Sequence, residues 1–343
     1  MIESKILSLL PKSFFPNMVM DAKSGERFLK SLNKKIFIII SKTFYEKNEE
    51  KIKLVLTGSE LSFFMLNNEP TLKDKEDVQN QLKKNKSEII LGIGGGSVMD
   101  LTKIVKMGEN LECILIPTTI GSGSEASQYA VLLDENKNKK VFASNQLLPE
   151  TVIFNPAFCA TANNKVLAFS IVDALAHSIE GLASRNSNNL NDILATKSID
   201  TILENGKVAY QSKDIEALSK LQAAGFIAGI VQSTASVGLI HGIAHNIGPK
   251  HGLTHGRAVS LYLLDVLRLN KKNSNVYSKL NSCKNVNESN FIEVFEKFLN
   301  SLELDLSSVY SADYEKIRMD ICTKTNPCNP TIEDIDKIVN RRT

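Results

Sequence analysis

The sequence predicts an α/β domain with a parallel sheet, followed by an all-helical domain. Apolar runs typical of buried strands alternate with helical or loop segments in the first half of the chain. Glycine-rich or hydroxyl-rich turns follow two of these strands directly. After Pro156 the strand-like runs vanish, and long helical patterns continue to the end. We therefore predict two domains, 1–157 and 158–343.

The first domain is predicted to contain four strands, one helix and a hairpin. Its strands are 36–40, 52–56, 88–93 and 113–116. The second is the weakest because Lys53 interrupts it. A helix over 98–105 follows the third strand, and 130–133 with 140–142 predicts a β-hairpin. The predicted helices of the second domain are 166–183, 191–205, 215–247 and 258–269.

Composition excludes several classes of protein. The 343 residues are 43% hydrophobic and 23% charged, which is typical of a globular protein and not of a disordered one. The net charge of +3 is too balanced to indicate nucleic-acid binding. Neither a signal peptide in 1–15 nor a membrane-spanning stretch is expected. Five scattered cysteines without a C-x-x-C pair suit reduced thiols, so we expect a cytoplasmic protein.

A glycine triplet, Gly94–Gly96, lies between a predicted strand and a predicted helix, and Ser97 follows it. Residues without a Cβ let the backbone approach a ligand closely, and a helix N-terminus offers free N–H groups. The turn therefore indicates phosphate binding. It does not fit the G-x-G-x-x-G spacing, because Met99 occupies the last glycine position.

A second loop, 117–125, reads PTTIGSGSE and follows the fourth predicted strand. Small hydroxyl residues at the carboxyl edge of a parallel sheet lie where such sheets bind ligands. The alternative is a polar turn with local hydroxyl-to-backbone hydrogen bonds. Taken with the glycine turn, the loop favours a nucleotide site.

Four of the five histidines fall within fifteen residues, at 241, 245, 251 and 255. Asp173 and His177 are four residues apart in a helical pattern, so both side chains project from one helix face. His241 and His245 have the same spacing. Such a set can converge on one divalent metal, although any single histidine of this kind is more often structural.

Five ordered motifs resemble those of the iron-containing (group III) alcohol dehydrogenases. They are GGGSVMD (94–100), PTTIGSGSE (117–125), LLPETVIFNP (147–156), DALAH (173–177) and HGIAHNIGPKHGLTHG (241–256). NPCNPTIEDI (326–335) is similar to the C-terminal Asn-Pro segment of that family. The resemblance implies a dinucleotide-binding domain, an all-helical metal domain of the dehydroquinate synthase-like architecture, and an active site in the cleft between them.

The resemblance also assigns individual residues. The metal ligands of the family fall on Asp173, His177, His241 and His255, whereas His251 matches no family site. His245 matches a histidine beside the substrate and is expected to relay a proton. The nucleotide-binding positions fall on Gly95, Gly96, Ser97, Asp100, Thr118, Thr119 and Ser122. Iron(II) is the implied metal, and the same donor atoms would also accept zinc.

The cofactor preference is expected at Ser41. In NAD-preferring members of the family an aspartate follows the strand that corresponds to 36–40, and its carboxylate repels a 2′-phosphate. Here Ser41 occupies that position and Lys42 follows it. The chain is therefore expected to accept NADP(H), alone or together with NAD(H).

Four departures from the family pattern concern substrate and loop geometry. The usual His-Pro-Leu-Gly reads His-Asn-Ile-Gly at 245–248, and Gly-Thr-Gly-Ser reads Gly-Ser-Gly-Ser at 121–124. The stretch between Asp100 and Pro117 is short, and a glycine before the first helix is missing from 18–23. The short stretch leaves the substrate range open.

The implied activity is hydride transfer between a nicotinamide cofactor and a small primary alcohol or aldehyde, and the resemblance also admits a homodimer. One alternative substrate is an anionic aldehyde such as phosphonoacetaldehyde, which Lys250 and Arg257 could favour, and another is a sugar-derived alcohol. A dehydroquinate synthase-like lyase is a further alternative. It would be expected to use a Glu/His/His metal set, and the Asp-His-His-His set counts against it.

Overall fold

A computed structural model describes residues 16–109, 111–136 and 138–341. The chain divides into two compact units. The first comprises the described residues of 16–119 and 124–161, and the second comprises 120–123 and 162–341. The short segment 120–123 thus packs with the second unit although its neighbours in sequence belong to the first. The placement of the active site between two domains stays a prediction, as does the boundary at 157/158. The segment 1–15, where no signal peptide is expected, lies outside the described residues.

The first unit is an α/β unit. Its strands are β1 Met18–Met20, β2 Lys35–Ser41, β3 Glu60–Leu66, β4 Ile89–Gly94, β5 Glu112–Pro117, β6 Tyr129–Leu133, β7 Lys139–Ala143 and β8 Thr151–Ile153. Its α-helices are α1 Ala22–Ser31, α2 Lys42–Val55, α3 Leu72–Asn85, α4 Gly96–Lys106 and α5 Pro156–Cys159. Short 3₁₀ helices cover Ser124–Ala126 and Asn145–Leu147.

Among the described residues, six strands form one parallel sheet in the order β1-β8-β5-β4-β2-β3. Strands β6 and β7 form the antiparallel hairpin that the sequence predicts. The strand order brings the carboxyl ends of β2, β4 and β5 side by side. The turns that follow these three strands therefore lie at one edge of the sheet.

Strand β2 shows why the sheet is buried on both faces. Successive side chains of a strand point to opposite faces, so an unbroken apolar run suits a strand that is covered on both sides. Phe37 and Ile39 pack into the hydrophobic core that contains α3 and α4 residues. Ile36, Ile38 and Ile40 pack into the core formed with α1 and α2. This arrangement confirms the predicted α/β class.

The predicted strand 52–56 is wrong. Residues 52–55 lie in helix α2, in which the buried residues Phe44, Asn48 and Ile52 are four apart, as one helix face requires. Strand β2 pairs with β4 on one side and with β3 on the other, and β3 is an edge strand of the sheet. Its sequence, ELSFFML, has no regular polar alternation. The three-residue strands β1 and β8 also escaped prediction because they are too short to show a pattern.

The second unit is helical. Its α-helices are α6 Asn164–Ala183, α7 Asn189–Ser212, α8 Ile215–Ala235, α9 Leu239–His251, α10 His255–Asn273, α11 Phe291–Ser301, α12 Tyr314–Met319, α13 Ile321–Thr325 and α14 Ile332–Val339. A 3₁₀ helix covers Val276–Ser282. Asparagine or aspartate side chains cap the N-termini of α6, α7 and α8. The predicted all-helical character is confirmed.

The predicted single helix 215–247 is wrong, because the chain bends by 101° between α8 and α9. Ser236 adopts a φ of 66°, which a continuing helix cannot accommodate. Gly238 then caps α9 at a crowded position, where a Cβ would lie 2.8 Å from Glu180 Oε1. The bend places His241 in the first turn of a new helix.

Helix α6 is long and apolar enough to cross a membrane by length and composition alone, and α8 with α9 would qualify if the bent pair were one span. Within the α6 segment tested, 83% of the residues are buried inside the protein, as in a core helix. These features are weak evidence for a span in the part of the chain that the structure describes.

Candidate functional site

Four side chains from three helices of the second unit converge. Asp173 and His177 lie one turn apart on α6, His241 lies in the first turn of α9, and His255 begins α10. One nitrogen or oxygen atom from each lies within 4.8 Å of the corresponding atom in the other three. The Nε2 atoms of His177, His241 and His255 lie 3.9, 3.6 and 3.5 Å from Asp173 Oδ1. The structure therefore brings together all four residues predicted as metal ligands.

Two atoms in this cluster are buried without a hydrogen-bond partner: Asp173 Oδ1 and His241 Nε2. Their separation of 3.6 Å is too long for a hydrogen bond. Leaving such atoms unpaired costs roughly 1–3 kcal/mol each. Two ligands of one tetrahedral ion, at bond lengths of roughly 2.0–2.2 Å, lie at a similar separation. The donor atoms present thus fit a divalent metal ion.

Gly121 fixes the ring of His177. The Nδ1–H of His177 donates to the Gly121 carbonyl over 3.0 Å, and a carbonyl can only accept. The proton therefore sits on Nδ1, and the lone pair is left on Nε2, facing Asp173. A Cβ at Gly121 would lie 2.5 Å from the Ser170 carbonyl oxygen, so this close approach requires glycine.

Glu180, which was not predicted from the sequence, fixes the ring of His241. Its Oε2 accepts from His241 Nδ1 over 2.6 Å, and its Oε1 accepts from the Ile240 backbone N–H over 2.7 Å. Glu180 lies seven residues after Asp173 on the same buried face of α6. A buried glutamate at that helical spacing is the signal that could have revealed it.

The ionisation of the cluster follows from burial and charge. Burial lowers the pKa of His177 to about 4, so its ring is neutral near pH 7. Burial also opposes charge on His241, but Asp173 and Glu180 outweigh it and raise the pKa of His241 to about 9. Burial alone would raise the pKa of Asp173, and the rings of His255, His177 and His241 outweigh it, so the pKa lies below its usual value.

His245 lies next to this cluster without joining it. Its ring centroid is 6.0 Å from that of His255, and its side chain is 30% exposed. Its Nδ1 lies 3.3 Å from Asp320 Oδ2, and Asp320 Oδ1 accepts from the Cys322 backbone N–H. Asp320 was not predicted. The arrangement gives His245 a fixed orientation and access to water.

His251 is not part of the cluster. Its Nε2 donates to the Ser311 carbonyl over 2.7 Å, and its ring contacts that of Tyr310. His251 matches no predicted ligand position, and its surroundings agree with a structural role.

The C-terminal Asn-Pro segment supports the helix that carries His241. Buried Asn326 accepts from the Leu239 backbone N–H through its Oδ1. Its Nδ2 donates to Asn270 Oδ1 over 2.8 Å. Asn326 therefore ties the start of α9 to α10.

In the first unit, the glycine-rich turn lies where β4 ends and α4 begins. Gly95 is the N-cap of α4, and Gly96 and Ser97 are its first two residues. A Cβ at Gly95 would lie 3.2 Å from Thr119 Oγ1, so the two predicted nucleotide loops are neighbours. The Thr118 N–H also donates to the Gly94 carbonyl. The first N–H groups of α4 thus lie at the edge of the sheet, as a phosphate site requires.

Asp100 and Ser122, two of the predicted nucleotide-binding residues, have hydrogen-bond partners within the protein. Asp100 Oδ1 accepts from Ser124 Oγ, and its Oδ2 accepts from the Val131 backbone N–H over 2.9 Å. Ser122 belongs to the second unit, where its carbonyl accepts from Gln232 Nε2 over 2.7 Å. These hydrogen bonds show that Asp100 holds the second loop, and its place in a nucleotide site stays a prediction.

Ser41 ends β2 and occupies the N-cap position of α2, and its Oγ lies 3.1 Å from Thr43 Oγ1. Lys42 is the first residue of α2 and is exposed. Both residues lie at the carboxyl end of a strand that is next to β4. This is the edge of the sheet at which the glycine-rich turn also lies.

Comparison with known proteins identifies the class to which this arrangement belongs. Residues 21–156 match the family model for iron-containing alcohol dehydrogenase, and residues 167–343 match the model for the C-terminal region of the Fe-containing alcohol dehydrogenase family. The chain therefore belongs to the iron-containing alcohol dehydrogenase family. The resemblance predicted from its motifs is confirmed.

Two curated relatives are 1-propanol dehydrogenases. That of Citrobacter freundii is 30% identical over 71% of this chain and 69% of its own length. That of Salmonella typhimurium is 33% identical over 55% of this chain and 54% of its own length. The match to aldehyde-alcohol dehydrogenase 2 of Entamoeba histolytica covers 24% of that protein. The matched part thus spans from a quarter to about two thirds of these relatives.

Solved structures confirm the fold. An alcohol dehydrogenase from Oenococcus oeni superposes with a TM-score of 0.86 at 21% identity, covering 96% of this chain and 99% of its own. A sulfoacetaldehyde reductase from Bifidobacterium kashiwanohense, in complex with NAD⁺, gives 0.86 at 19% identity, covering 97% and 98%.

Proposed function

We propose that this protein is a metal-dependent, NAD(P)-linked oxidoreductase that interconverts a small primary alcohol and its aldehyde. The observation that carries the proposal is the convergence of three imidazole nitrogens on Asp173 Oδ1, with two of the four atoms buried and unpartnered. Membership of the iron-containing alcohol dehydrogenase family supports it. The names of the 1-propanol dehydrogenases support a small alcohol as the substrate.

In this proposal Asp173, His177, His241 and His255 hold one divalent ion, iron(II) or zinc. When bound, the ion supplies Lewis-acid polarisation of the substrate oxygen. Gly121 and Glu180 hold the rings of His177 and His241 with Nε2 toward Asp173. These two outer hydrogen bonds keep the site assembled when the metal exchanges.

His245 would hold and release the proton that the alcohol hydroxyl loses. An imidazole titrates near neutral pH, and the partly exposed side chain of His245 can exchange protons with water. Asp320 holds its Nδ1 side. The His245 ring is therefore held near the candidate metal ligands, but it is not one of the four proposed ligands.

The nicotinamide dinucleotide supplies and accepts the hydride. We propose that Gly95, Gly96 and Ser97 receive its pyrophosphate at the N-terminus of α4, and that Thr118, Thr119 and Ser122 contribute to its site. Ser41 and Lys42 would lie near the adenosine ribose. The NAD⁺ complex of the sulfoacetaldehyde reductase supports a nicotinamide cofactor, and the absence of an aspartate at position 41 favours NADP(H) or both cofactors.

The proposal is tested by measuring the oxidation of NADH and NADPH with a panel of aldehydes. The protein is assayed after chelation of its metal and again after reloading with iron(II) or zinc. Activity that vanishes on chelation and returns with either metal would support the proposal. Steady-state oxidation of the reduced cofactor separates this function from a lyase that uses NAD only transiently. A metal-loaded protein that turns over neither cofactor with any aldehyde would contradict it.

Glu180→Gln is expected to lower metal affinity by about 10–100-fold, as loss of an outer hydrogen-bond partner of a ligand histidine typically does. The amide oxygen of the glutamine can still accept from the Ile240 N–H. Its NH₂ group, however, would face the His241 Nδ1–H, which is itself a donor, so this hydrogen bond is lost. Competition with a chelator measures the affinity. Asp320→Asn is the matched control, since Asp320 contacts His245 and no proposed ligand. Equal metal retention by Glu180→Gln and wild type would contradict this role.

An anionic aldehyde is a second candidate substrate, favoured by a specific pocket. An open pocket of about 520 Å³ is lined by Lys165, Phe169, Thr254 and Arg257, among others. Thr254 directly precedes His255, and Arg257 Nε is buried without a hydrogen-bond partner. Lys250, the other cation predicted to favour an anionic substrate, does not line this pocket and lies in the last turn of α9. The name of a 4-hydroxybutyrate dehydrogenase from Clostridium kluyveri, 30% identical over 52% of this chain and 54% of its own length, supports a charged substrate.

Arg257→Ala is expected to lower the ratio of kcat/KM for anionic over neutral aldehydes of equal size by about three- to tenfold, because one partly screened cation is lost. Lys250→Ala, which removes a cation outside the pocket, is the control and should leave the ratio unchanged. If the ratio responds to Lys250 and not to Arg257, the pocket is not the anion site.

We also propose that the protein is cytoplasmic, which its cysteine pattern supports. We further propose that it has no nucleic-acid partner and that it forms a homodimer. Size-exclusion chromatography with light scattering tests the oligomeric state.

A further inference from the structure

Lys103, in the third turn of α4, is completely buried. Its Nζ lies 2.8 Å from the carbonyl oxygen of Ser124, 3.1 Å from that of Ser127 and 2.5 Å from that of Tyr129. Three carbonyls can only accept, and an ammonium has three N–H groups. A neutral amine would offer two N–H groups and direct its lone pair at an oxygen. The geometry therefore requires the charged form, although burial lowers the pKa of Lys103.

Asp100 completes this arrangement from the preceding turn of the same helix. Its Oδ1 lies 3.5 Å from Lys103 Nζ, and it also accepts from the Ser124 hydroxyl. Its Oδ2 accepts from the Val131 N–H. Buried charges are stable only when they are paired and hydrogen-bonded, and this pair satisfies both conditions. Asp100 and Lys103, on one face of α4, thus hold the backbone of residues 124–131 through hydrogen bonds.

The segment 124–131, which these hydrogen bonds hold, begins within the second predicted nucleotide loop, 117–125, and continues beyond it. The segment 124–131 follows Thr118 and Thr119 within a few residues, and α4 begins at the glycine-rich turn. In the absence of a cation, three carbonyl dipoles directed at one point would repel one another. The conformation of this segment therefore depends on the positive charge of Lys103.

We propose that the Lys103 ammonium acts as a built-in monovalent cation that sets the course of residues 124–131 and so positions the second nucleotide loop for dinucleotide binding. The part that concerns the dinucleotide rests on the proposed function. Lys103 is a positioning residue, because its three carbonyl partners leave it no contact to offer a ligand. An ammonium ion or K⁺ is held by carbonyl oxygens in the same manner.

The test replaces Lys103 with alanine and supplies the missing cation. Lys103→Ala leaves a cavity beside three carbonyls and a carboxylate, which K⁺ or ammonium fits and tetramethylammonium does not. Hydrogen exchange of peptides covering 124–133 should increase in the variant and return toward wild type with K⁺ or ammonium. In metal-free protein, the Kd for NADPH or NADH, measured by fluorescence, should rise at least about tenfold and recover with the same ions.

Lys106→Ala is the matched control. Lys106 lies three residues further along α4, and its Nζ contacts the Gln146 and Leu148 carbonyls and Glu150 Oε1. Its loss removes an ammonium that also has three oxygen partners but has none in 124–131. Lys106→Ala should change neither hydrogen exchange in 124–133 nor the Kd for the cofactor. Added K⁺ or ammonium should affect Lys106→Ala no more than it affects the wild-type protein.

The outcomes separate the two proposals. If the wild-type protein binds neither NADH nor NADPH, the proposed function is contradicted. Hydrogen exchange in 124–133 still decides the role of Lys103 in that case. Unchanged exchange in Lys103→Ala, or increased exchange that no small cation reverses, overturns the inference. If Lys103→Ala does not fold, refolding is compared in potassium chloride and choline chloride at equal ionic strength. Recovery in potassium alone supports the proposal, and equal failure in both salts overturns it.

Discussion

Alanine at His241 or His255 is expected to abolish turnover and to remove bound metal, because each change deletes one of the four candidate ligand atoms that lie within 4.8 Å of one another. The loss of affinity should exceed the roughly 10–100-fold that follows from losing an outer partner of a ligand. Metal content after dialysis and kcat with an aldehyde and NAD(P)H measure the two effects.

The two variants should differ in stability. His241 is buried and bonded to Glu180, so His241→Ala leaves a buried carboxylate oxygen unpaired and costs roughly 1–3 kcal/mol in the free energy of unfolding. The His255 side chain is 35% exposed at the start of α10, and its removal should cost less. Thermal denaturation compares them.

His251→Ala is the control for both, since His251 contacts Ser311 and Tyr310 outside the cluster. It should keep wild-type metal content. Wild-type activity and metal content in both His241→Ala and His255→Ala would refute the metal assignment. Metal loss in His251→Ala would show that the wrong histidine was assigned.

Ser41→Asp is expected to shift cofactor preference toward NADH by about 1–3 kcal/mol, or roughly 5- to 150-fold in the ratio of kcat/KM values. The carboxylate would lie at the carboxyl end of β2, where it can accept from ribose hydroxyls and repel a 2′-phosphate. Initial rates with NADH and NADPH at fixed aldehyde concentration measure the ratio.

Thr43→Asp is the matched control, because it adds the same charge two residues further on, in the first turn of α2. A smaller shift is expected there. Wild-type protein that uses NADH but has no measurable rate with NADPH would overturn the prediction, as would an unchanged ratio in Ser41→Asp.

The amino-acid sequence alone determined the fold class, the family and the residues of the candidate metal centre. These features have local signals: an unbroken apolar run such as 36–40, a strand–glycine–helix junction at Gly94–Gly96, and Asp and His residues four apart on α6. Each depends on the periodicity of one element or on the chemistry of one short motif. Such signals can be read without knowing what the element packs against.

The tertiary structure alone decided the edge strand β3, the bend between α8 and α9, and the partners of the candidate ligands. Gly121, Glu180, Asp320 and Lys103 act through contacts that join distant parts of the chain: 56 residues separate His177 from Gly121, and 61 separate His241 from Glu180. The same residue types occur widely on protein surfaces, so their identity carries no signal. Burial and the direction of a hydrogen bond give them their roles, and both arise only when the helices pack.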